Sequence, residues 1–294
     1  MSIKKNTLLV LLKNFEFFRS FHKLALVLIE FFSFPKMFFS IRPSKEVIFV
    51  SAATETHELS IVRLIDSLRA HEPNWIPIIF DMGMSVSAKE VLAKKLSSFS
   101  KYRFESIDFA SLPGWMNPRG FNNGGYAWKP YIIEKSLTIA KELLAQDSIL
   151  LWMDAGNILT GDMRRIIKYT EHYKFWSTSS SGQLGDWTSN MCCKILDISS
   201  EELKISNLNG AAIAFNFSSN KSKNLFFSWL NLSSRQEVIS PIDATMKNHR
   251  FDQSILTLLA IREKLFPNKS ARDLSRDCII FHQDIETYVK IWIR

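Results

Sequence analysis

The segment SILLWMDAGNIL, Ser148 to Leu159, constrains this chain more than any other. Ile149 to Met153 is an unbroken apolar run without polar alternation, the pattern of a strand covered on both faces, as in the mostly parallel sheets that helices sandwich. The run stops abruptly at Asp154-Ala155-Gly156-Asn157. Open α/β sheets bind ligands beyond the carboxyl ends of such strands. A carboxylate there, followed by two small residues, leaves room for a metal ion or a sugar ring. The competing reading is a turn cap, since Asp and Asn are ordinary turn residues.

Short β-rich runs alternating with helical periodicity surround this strand and predict a Rossmann-like α/β body. EVIFVSAAT (46–54) reads as a first strand, and Ile61, Leu64, Ile65 and Leu68 have the spacing of a helix face. NWIPIIFDMG is a second strand, Ser87 to Phe99 a helix capped by Ser87, and YRFESIDF a third strand. A helix is expected from about Tyr131 to Leu144, starting at Pro130, and another from Met163 to Tyr173. STSSSGQLGDWTSN (177–190) reads as a polar loop, NGAAIAFNFS (209–218) as a second buried strand and Lys223 to Leu232 as a helix. His249, Arg250, Asp252 and Gln253 fall at the start of a further helix, where polar groups are expected to face a cleft.

The formal charge of +8 invites a nucleic-acid reading until its position is considered. Residues 1–45 hold eight basic side chains against Glu16 and Glu30, so the arm supplies +6 and the body is close to neutral. A duplex-binding protein needs its basic face on the folded domain, so no nucleic-acid partner is expected. From Leu8 to Phe39 the arm is apolar but interrupted by Lys13, Glu16, Arg19, His22, Lys23, Glu30 and Lys36. No stretch reaches the roughly 20 residues of a spanning helix. The arm, residues 1–44, is therefore expected to form amphipathic helices on an anionic membrane surface, or against protein, with a body of 45–294 at the cytoplasmic side and peripheral to the membrane. Three cysteines without a C-x-x-C pair suggest reduced thiols.

SLPGWMNPRGFNNGGYAWKP (111–130) carries four of the ten glycines. Such a loop lets backbone approach a ligand closely, and Trp115, Tyr126 and Trp128 argue against disorder. In chain order it is followed by LLWMDAG, DWT, NGAAIAF and HRFDQS. Together these residues resemble nucleotide-sugar-dependent glycosyltransferases of the GT-A fold over roughly Lys45–Arg294, and are similar to often bacterial, polysaccharide-associated transferases with WKP, DAG and HRxDQS motifs. The resemblance implies a GT-A-like sheet flanked by helices, a nucleoside-diphosphate sugar donor and a glycan or lipid-linked acceptor. Asp154 matches the first acid of the family's metal-binding D-x-D, while Gly156 stands where the second would be. That departure leaves a Mn or Mg ion to Asp154 with Asn157 or a histidine. His282 corresponds to the family's late metal-binding histidine, although the glycine, lysine and tryptophan expected after it are missing. Asp252-Gln253 is similar to the DQ pair beside the acceptor and reaction centre.

The chemistry asks for the same residue types. A departing diphosphate needs positive charge, for which Lys129, Arg119 and the helix start at Pro130 are candidates. An acceptor hydroxyl needs a carboxylate, and Asp252 and Asp186 are the choices. The apolar faces of a sugar pack on rings such as Trp128, Tyr126 and Trp187. Two other functions compete. A catalytically inactive GT-A-like binding module would explain the missing second acid. A nucleotidyltransferase would want glycine and lysine directly after the first strand, where SAATETHELS has neither. G-x-G-x-x-G, Walker A, G-x-S-x-G and H-E-x-x-H sequences are absent.

Overall fold

The computed structural model describes residues 45–143 and 148–283, all belonging to one compact unit, Pro43–Arg294. The arm, residues 1–44, lies outside the described residues, as does Leu144 of the expected third helix. Among the described residues no helix is long and apolar enough to cross a membrane.

In chain order the larger elements are β1 (Glu46–Ala53), α1 (Glu58–His71), β2 (Ile76–Asp81), α2 (Val86–Leu96), β3 (Arg103–Ser106), α3 (Trp128–Leu143), β4 (Ser148–Met153), β5 (Ile158–Leu159), α4 (Arg164–Tyr173), β6 (Phe175–Gln183), β7 (Ser206–Asn216), α5 (Asn220–Ser233), α6 (Asp252–Arg262) and β8 (Ile279–Ile280). Six strands form one sheet in the order β3-β2-β1-β4-β7-β6, and β5 pairs with β8 apart from it. β3, β2, β1 and β4 run parallel, and β7 runs antiparallel to both β4 and β6. The fold is α/β, with a mostly parallel central sheet flanked by helices.

Strand β1 shows why the sheet is buried on both sides. Ile48, Val50 and Ala52 join a core with Ile132 and Ile133 of α3, Phe226 and Trp229 of α5 and Ile255 of α6. The alternate residues Val47 and Phe49 are buried as well, on the face served by α1 and α4, whose Ile61, Leu64, Ile65, Ile166 and Ile167 are at most 1% exposed. Burying a large apolar side chain contributes about 1.5–3 kcal/mol, so both layers favour this arrangement strongly. The chain leaves β1 toward β2 on one side and returns with β4 on the other. That reversal opens a crevice at their carboxyl ends.

Four local expectations need correction. The helix after β2 is capped by Ser85, whose hydroxyl accepts from the Ala88 N–H, and not by Ser87. α3 begins at Trp128, two residues before Pro130, because a proline in the first turn removes no intrahelical hydrogen bond. The segment expected as a polar loop from Ser177 contributes an edge strand, β6. Its backbone pairs with β7 through two register shifts, and its hydroxyls are consumed locally: Ser177 donates to the Asn209 carbonyl at 2.8 Å and Thr178 to that of Arg272 at 2.9 Å. Polar composition hid a strand whose side chains bond to backbone.

His249, expected to face a cleft, is fully buried. Its Nδ1 accepts from the Ser189 N–H at 3.3 Å and its Nε2 donates to the Ile239 carbonyl at 3.0 Å. Both nitrogens are satisfied in the neutral ring, and burial pushes its pKa down to about 4. The unfolded chain, with a histidine near 6.5, binds this proton first, so stability should fall as pH drops from about 6.5 to about 4, by about 3 kcal/mol. Urea unfolding at a series of pH values checks this. A midpoint unchanged across that window would show that His249 accepts a proton without cost in the fold.

Candidate functional site

The loop before α3 is built from consecutive left-handed residues. Asn122, Asn123, Gly124, Gly125 and Tyr126 have φ of 50°, 53°, 63°, 58° and 53°. This conformation costs most residues about 1–2 kcal/mol each, and Asn and Gly tolerate it best, which explains NNGG. Gly124 is required twice over, since a Cβ there would sit 2.3 Å from the Met116 carbonyl oxygen. Tyr126 alone lacks that tolerance, and it is the residue whose ring the turn carries into the cleft. Its hydroxyl accepts from the Asn123 side chain at 3.0 Å, and the Trp128 indole donates to the Asn123 carbonyl at 3.1 Å.

The cleft, about 570 Å³, opens at the carboxyl ends of β1 and β4, a volume ordinary for a small-molecule site. Ala52, Ala53, Thr54, Thr56 and His57 line one side. Tyr126, Trp128 and Trp152 form an aromatic wall, with ring centroids 6.0 Å apart for the first pair and 6.2 Å for the second. Ser180 and Ser181 of β6 and Asn209 and Gly210 of β7 close another side.

At the base of the cleft a single ammonium joins three segments that are distant in sequence. Lys129 Nζ lies 3.2 Å from Asp154 Oδ1, 3.2 Å from Asp252 Oδ2 and 3.0 Å from the Gly210 carbonyl oxygen, to which it donates. It is 3% exposed. Burial alone would lower its pKa, but the attraction of the two carboxylates outweighs it and holds the lysine above its ordinary value, so it stays charged. Tyr126 and Trp152 present their rings to the same nitrogen, each at 5.6 Å. Asp154 also accepts from the Trp152 indole at 2.6 Å. Its side chain is 35% exposed toward the cleft, whereas that of Asp252 is 5% exposed. Burial raises the Asp252 carboxyl to about 6, against the pull of Lys129 and with the charge of Asp154 adding to the rise.

Asp252 and Gln253 are presented by a strained start to α6. Phe251, buried and non-glycine, has φ 47° and ψ −118°, a sparsely populated combination that surrounding structure must hold. The supports are visible: the Trp229 indole donates to the Asp252 carbonyl at 2.9 Å, the Arg250 N–H donates to the Trp187 carbonyl at 3.0 Å, and Ser254 donates to that same carbonyl at 2.5 Å. Gln253 Oε1 accepts from the Gly210 N–H at 3.1 Å, while its Nε2 is buried without a hydrogen-bond partner. A Cβ on Gly210 would stand 3.3 Å from Asp252 Oδ2 and 3.5 Å from Lys129 Nζ. A glycine there lets the β7 backbone reach the charged group.

Of the residues singled out in the sequence, Asp154, Gly156, Trp128, Lys129, Asp252, Gln253 and His282 all line this cleft. Three others are engaged elsewhere. Arg119 pairs with Glu55 at 2.8 Å and donates to the Gly83 carbonyl at 3.2 Å, tying the segment after β1 to the turn after β2. Asn157 is buried, donating to the Ala211 carbonyl at 2.8 Å and accepting from the His282 N–H at 3.2 Å. Asp186 closes a capping box by accepting from the Gln183 N–H at 2.7 Å. Trp187 does not line the cleft; the Arg250 guanidinium stacks over its ring at 4.0 Å. Arg250, expected from its place before the helix start to face a cleft, does line it.

Of the residues named as metal ligands, Asp154 and His282 both line the cleft. Among the described residues no group of three or more His, Cys, Asp or Glu is placed to hold a metal ion. Gly156 offers no side-chain oxygen, both polar atoms of Asn157 are committed, and Lys129 already occupies the space between Asp154 and Asp252.

A family model described as "Protein of unknown function (DUF1647)" matches residues 13–134, less than half of the chain. No curated protein matches. The chain is similar to several solved structures. An apo structure of the bifunctional glycosyltransferase WbbM aligns with a TM-score of 0.49 at 13% identity, over 74% of this chain and 37% of that one. The mannosyltransferase Ktr4p from S. cerevisiae aligns with a TM-score of 0.49 at 7% identity, over 82% and 71%. An active-site mutant of LgtC gives 0.45 at 14% identity, over 72% and 69%.

Proposed function

We propose that this chain is a GT-A-like glycosyltransferase that moves a sugar from a nucleoside-diphosphate donor to a hydroxyl of a glycan or lipid-linked acceptor. The observation that carries this reading is the convergence of Asp154, Lys129 and the Asp252-Gln253 pair, from β4, α3 and α6, at the base of a cleft outside the carboxyl ends of a parallel sheet. Residues of the WKP, DAG, NGAAIAF and HRFDQS segments line this cleft, which supports the reading, whereas Asp186 and Trp187 of DWT do not line it.

Each group has work in such a transfer. The bond from the anomeric carbon to the diphosphate oxygen breaks, a bond to the acceptor oxygen forms, and the acceptor proton leaves. Asp252 is the carboxylate to orient that hydroxyl or take its proton. Asp154, exposed to the cleft, is an acceptor for donor hydroxyls. Tyr126 and Trp128 offer ring faces to the apolar side of a sugar. Lys129 and Arg250 are cations lining the cleft, and such charge favours the departing diphosphate.

Calorimetric titration with UDP- and GDP-linked hexoses tests the reading. Saturable binding is expected for at least one of them, weakened about tenfold or more by Asp154→Ala. Hydrogen bonds to a charged group contribute about 1.5–3 kcal/mol, and tenfold is about 1.4 kcal/mol. Absence of binding across the panel, or a folded Asp154→Ala protein of unchanged affinity, would remove the assignment.

A further inference from the structure

A sugar-nucleotide enzyme with an aspartate at the end of β4 invites a divalent metal as the charge that holds the diphosphate. The side chains around Asp154 are arranged for a different cation. Lys129 Nζ has three oxygens within 3.2 Å: it donates to the Gly210 carbonyl and pairs as an ion with Asp154 Oδ1 and Asp252 Oδ2. Two carboxylates and a backbone carbonyl are the donor types that would hold a hard divalent ion. Here they surround a fixed positive charge supplied by the chain, with two aromatic rings at 5.6 Å completing its surroundings. The arrangement is built from the backbone outward. Gly210 admits its carbonyl to the ammonium, and the strained Phe251 turn delivers Asp252. The position where the second acid of a D-x-D pair would stand is Gly156, and Asn157 is spent on Ala211 and His282.

We propose that the Lys129 ammonium is the resident cation of this cleft, taking the place of a divalent metal, so that the chain binds its nucleoside-diphosphate ligand without one. This inference rests on the functional reading above for the ligand, but not for the cation. A second positive ion beside Asp154 would face both the repulsion of a charge that cannot leave and a carboxylate already neutralised in part. The cost of opening such a site falls on any divalent ion, whatever nucleotide accompanies it.

The test uses the full chain and Mn2+. Electron paramagnetic resonance of free Mn2+ should show no protein-dependent loss of signal at millimolar concentrations, either alone or beyond the uptake by UDP or GDP themselves. Nucleotide affinity by calorimetry should agree within about twofold in EDTA and in Mn2+. Stoichiometric Mn2+ uptake that Asp154→Asn removes, or a tenfold gain in nucleotide affinity with Mn2+, would overturn the proposal. Lys129→Gln, which retains polarity but removes the charge, should acquire what the native protein lacks: Mn2+ should raise its melting temperature while leaving that of the native chain unchanged. A folded Lys129→Gln protein indifferent to Mn2+ would show that the lysine does not stand in a cation's place. If neither nucleotide binds under any condition, the functional reading fails, and the two Mn2+ measurements still decide the cation.

Discussion

Replacing Lys129 by methionine is expected to destabilise the protein by about 3–5 kcal/mol, the usual cost of removing one partner from a buried ionic group. The lysine is 3% exposed and sits between Asp154 and Asp252. Methionine fills much of the volume and packs well against Tyr126 and Trp152, so the loss is electrostatic more than steric. Asp252, nearly as buried, would be left to protonate or to break away from the start of α6. Against a total stability of roughly 5–15 kcal/mol this is a large fraction. Urea denaturation of the two proteins at neutral pH gives the difference directly. A cost below about 1 kcal/mol would mean that the cluster is solvated in solution and that the ion pairs contribute like surface pairs.

Asp252→Asn is expected to have the largest effect on transfer, lowering kcat by about 10²–10⁴ if the carboxylate takes or orients the acceptor proton. Asparagine is nearly isosteric, so α6 and its Phe251 turn should persist and donor affinity should change little. The ionised carboxylate is the active form, and burial places its titration near 6. On the proposed function, transfer rates of the native chain should therefore fall as pH drops below about 6, and the variant should lose that acidic limb. Initial rates with a responsive donor, together with donor titrations of both proteins, separate the outcomes. A loss of donor affinity equal to the loss of rate would make Asp252 a ground-state binding group.

The elements that carried their own pattern were legible before the fold was seen. Ile149–Met153 has the pattern of a strand covered on both sides, and Ile61, Leu64, Ile65 and Leu68 have the spacing of one buried helix face, and the fold has both. The glycines of 111–130 marked a loop of close backbone approach, and the fold shows NNGG in left-handed backbone, where those residue types lose least. Because side-chain chemistry is local, the sequence also nominated Asp154, Lys129, Asp252 and Gln253 one at a time. What it could not express was which of them meet. The chemistry of a departing diphosphate makes Lys129 a candidate cation, and only the packing of α3, β4 and α6 around Gly210 makes it the counter-ion of both carboxylates as well.

The same reason separates the remaining residues. Arg119, Asn157 and Asp186 have the chemistry of a sugar-nucleotide site, but each found a nearer partner in Glu55, Ala211 or Gln183, and a satisfied buried or paired group is not released without cost. His249 stands three residues from Asp252 and shares its motif, yet the turn at Phe251 sends one to the core and the other to the cleft. Strand β6 escaped notice because serine-rich backbone pairs as well as valine-rich backbone once a neighbour such as β7 is beside it. By itself, then, the sequence determined the α/β class, the buried central strand and the residue types of the site, all of which follow from local pattern. The charge balance of the cleft depends on distances of about 3 Å between segments that are separate in sequence, and those distances exist only in the folded chain.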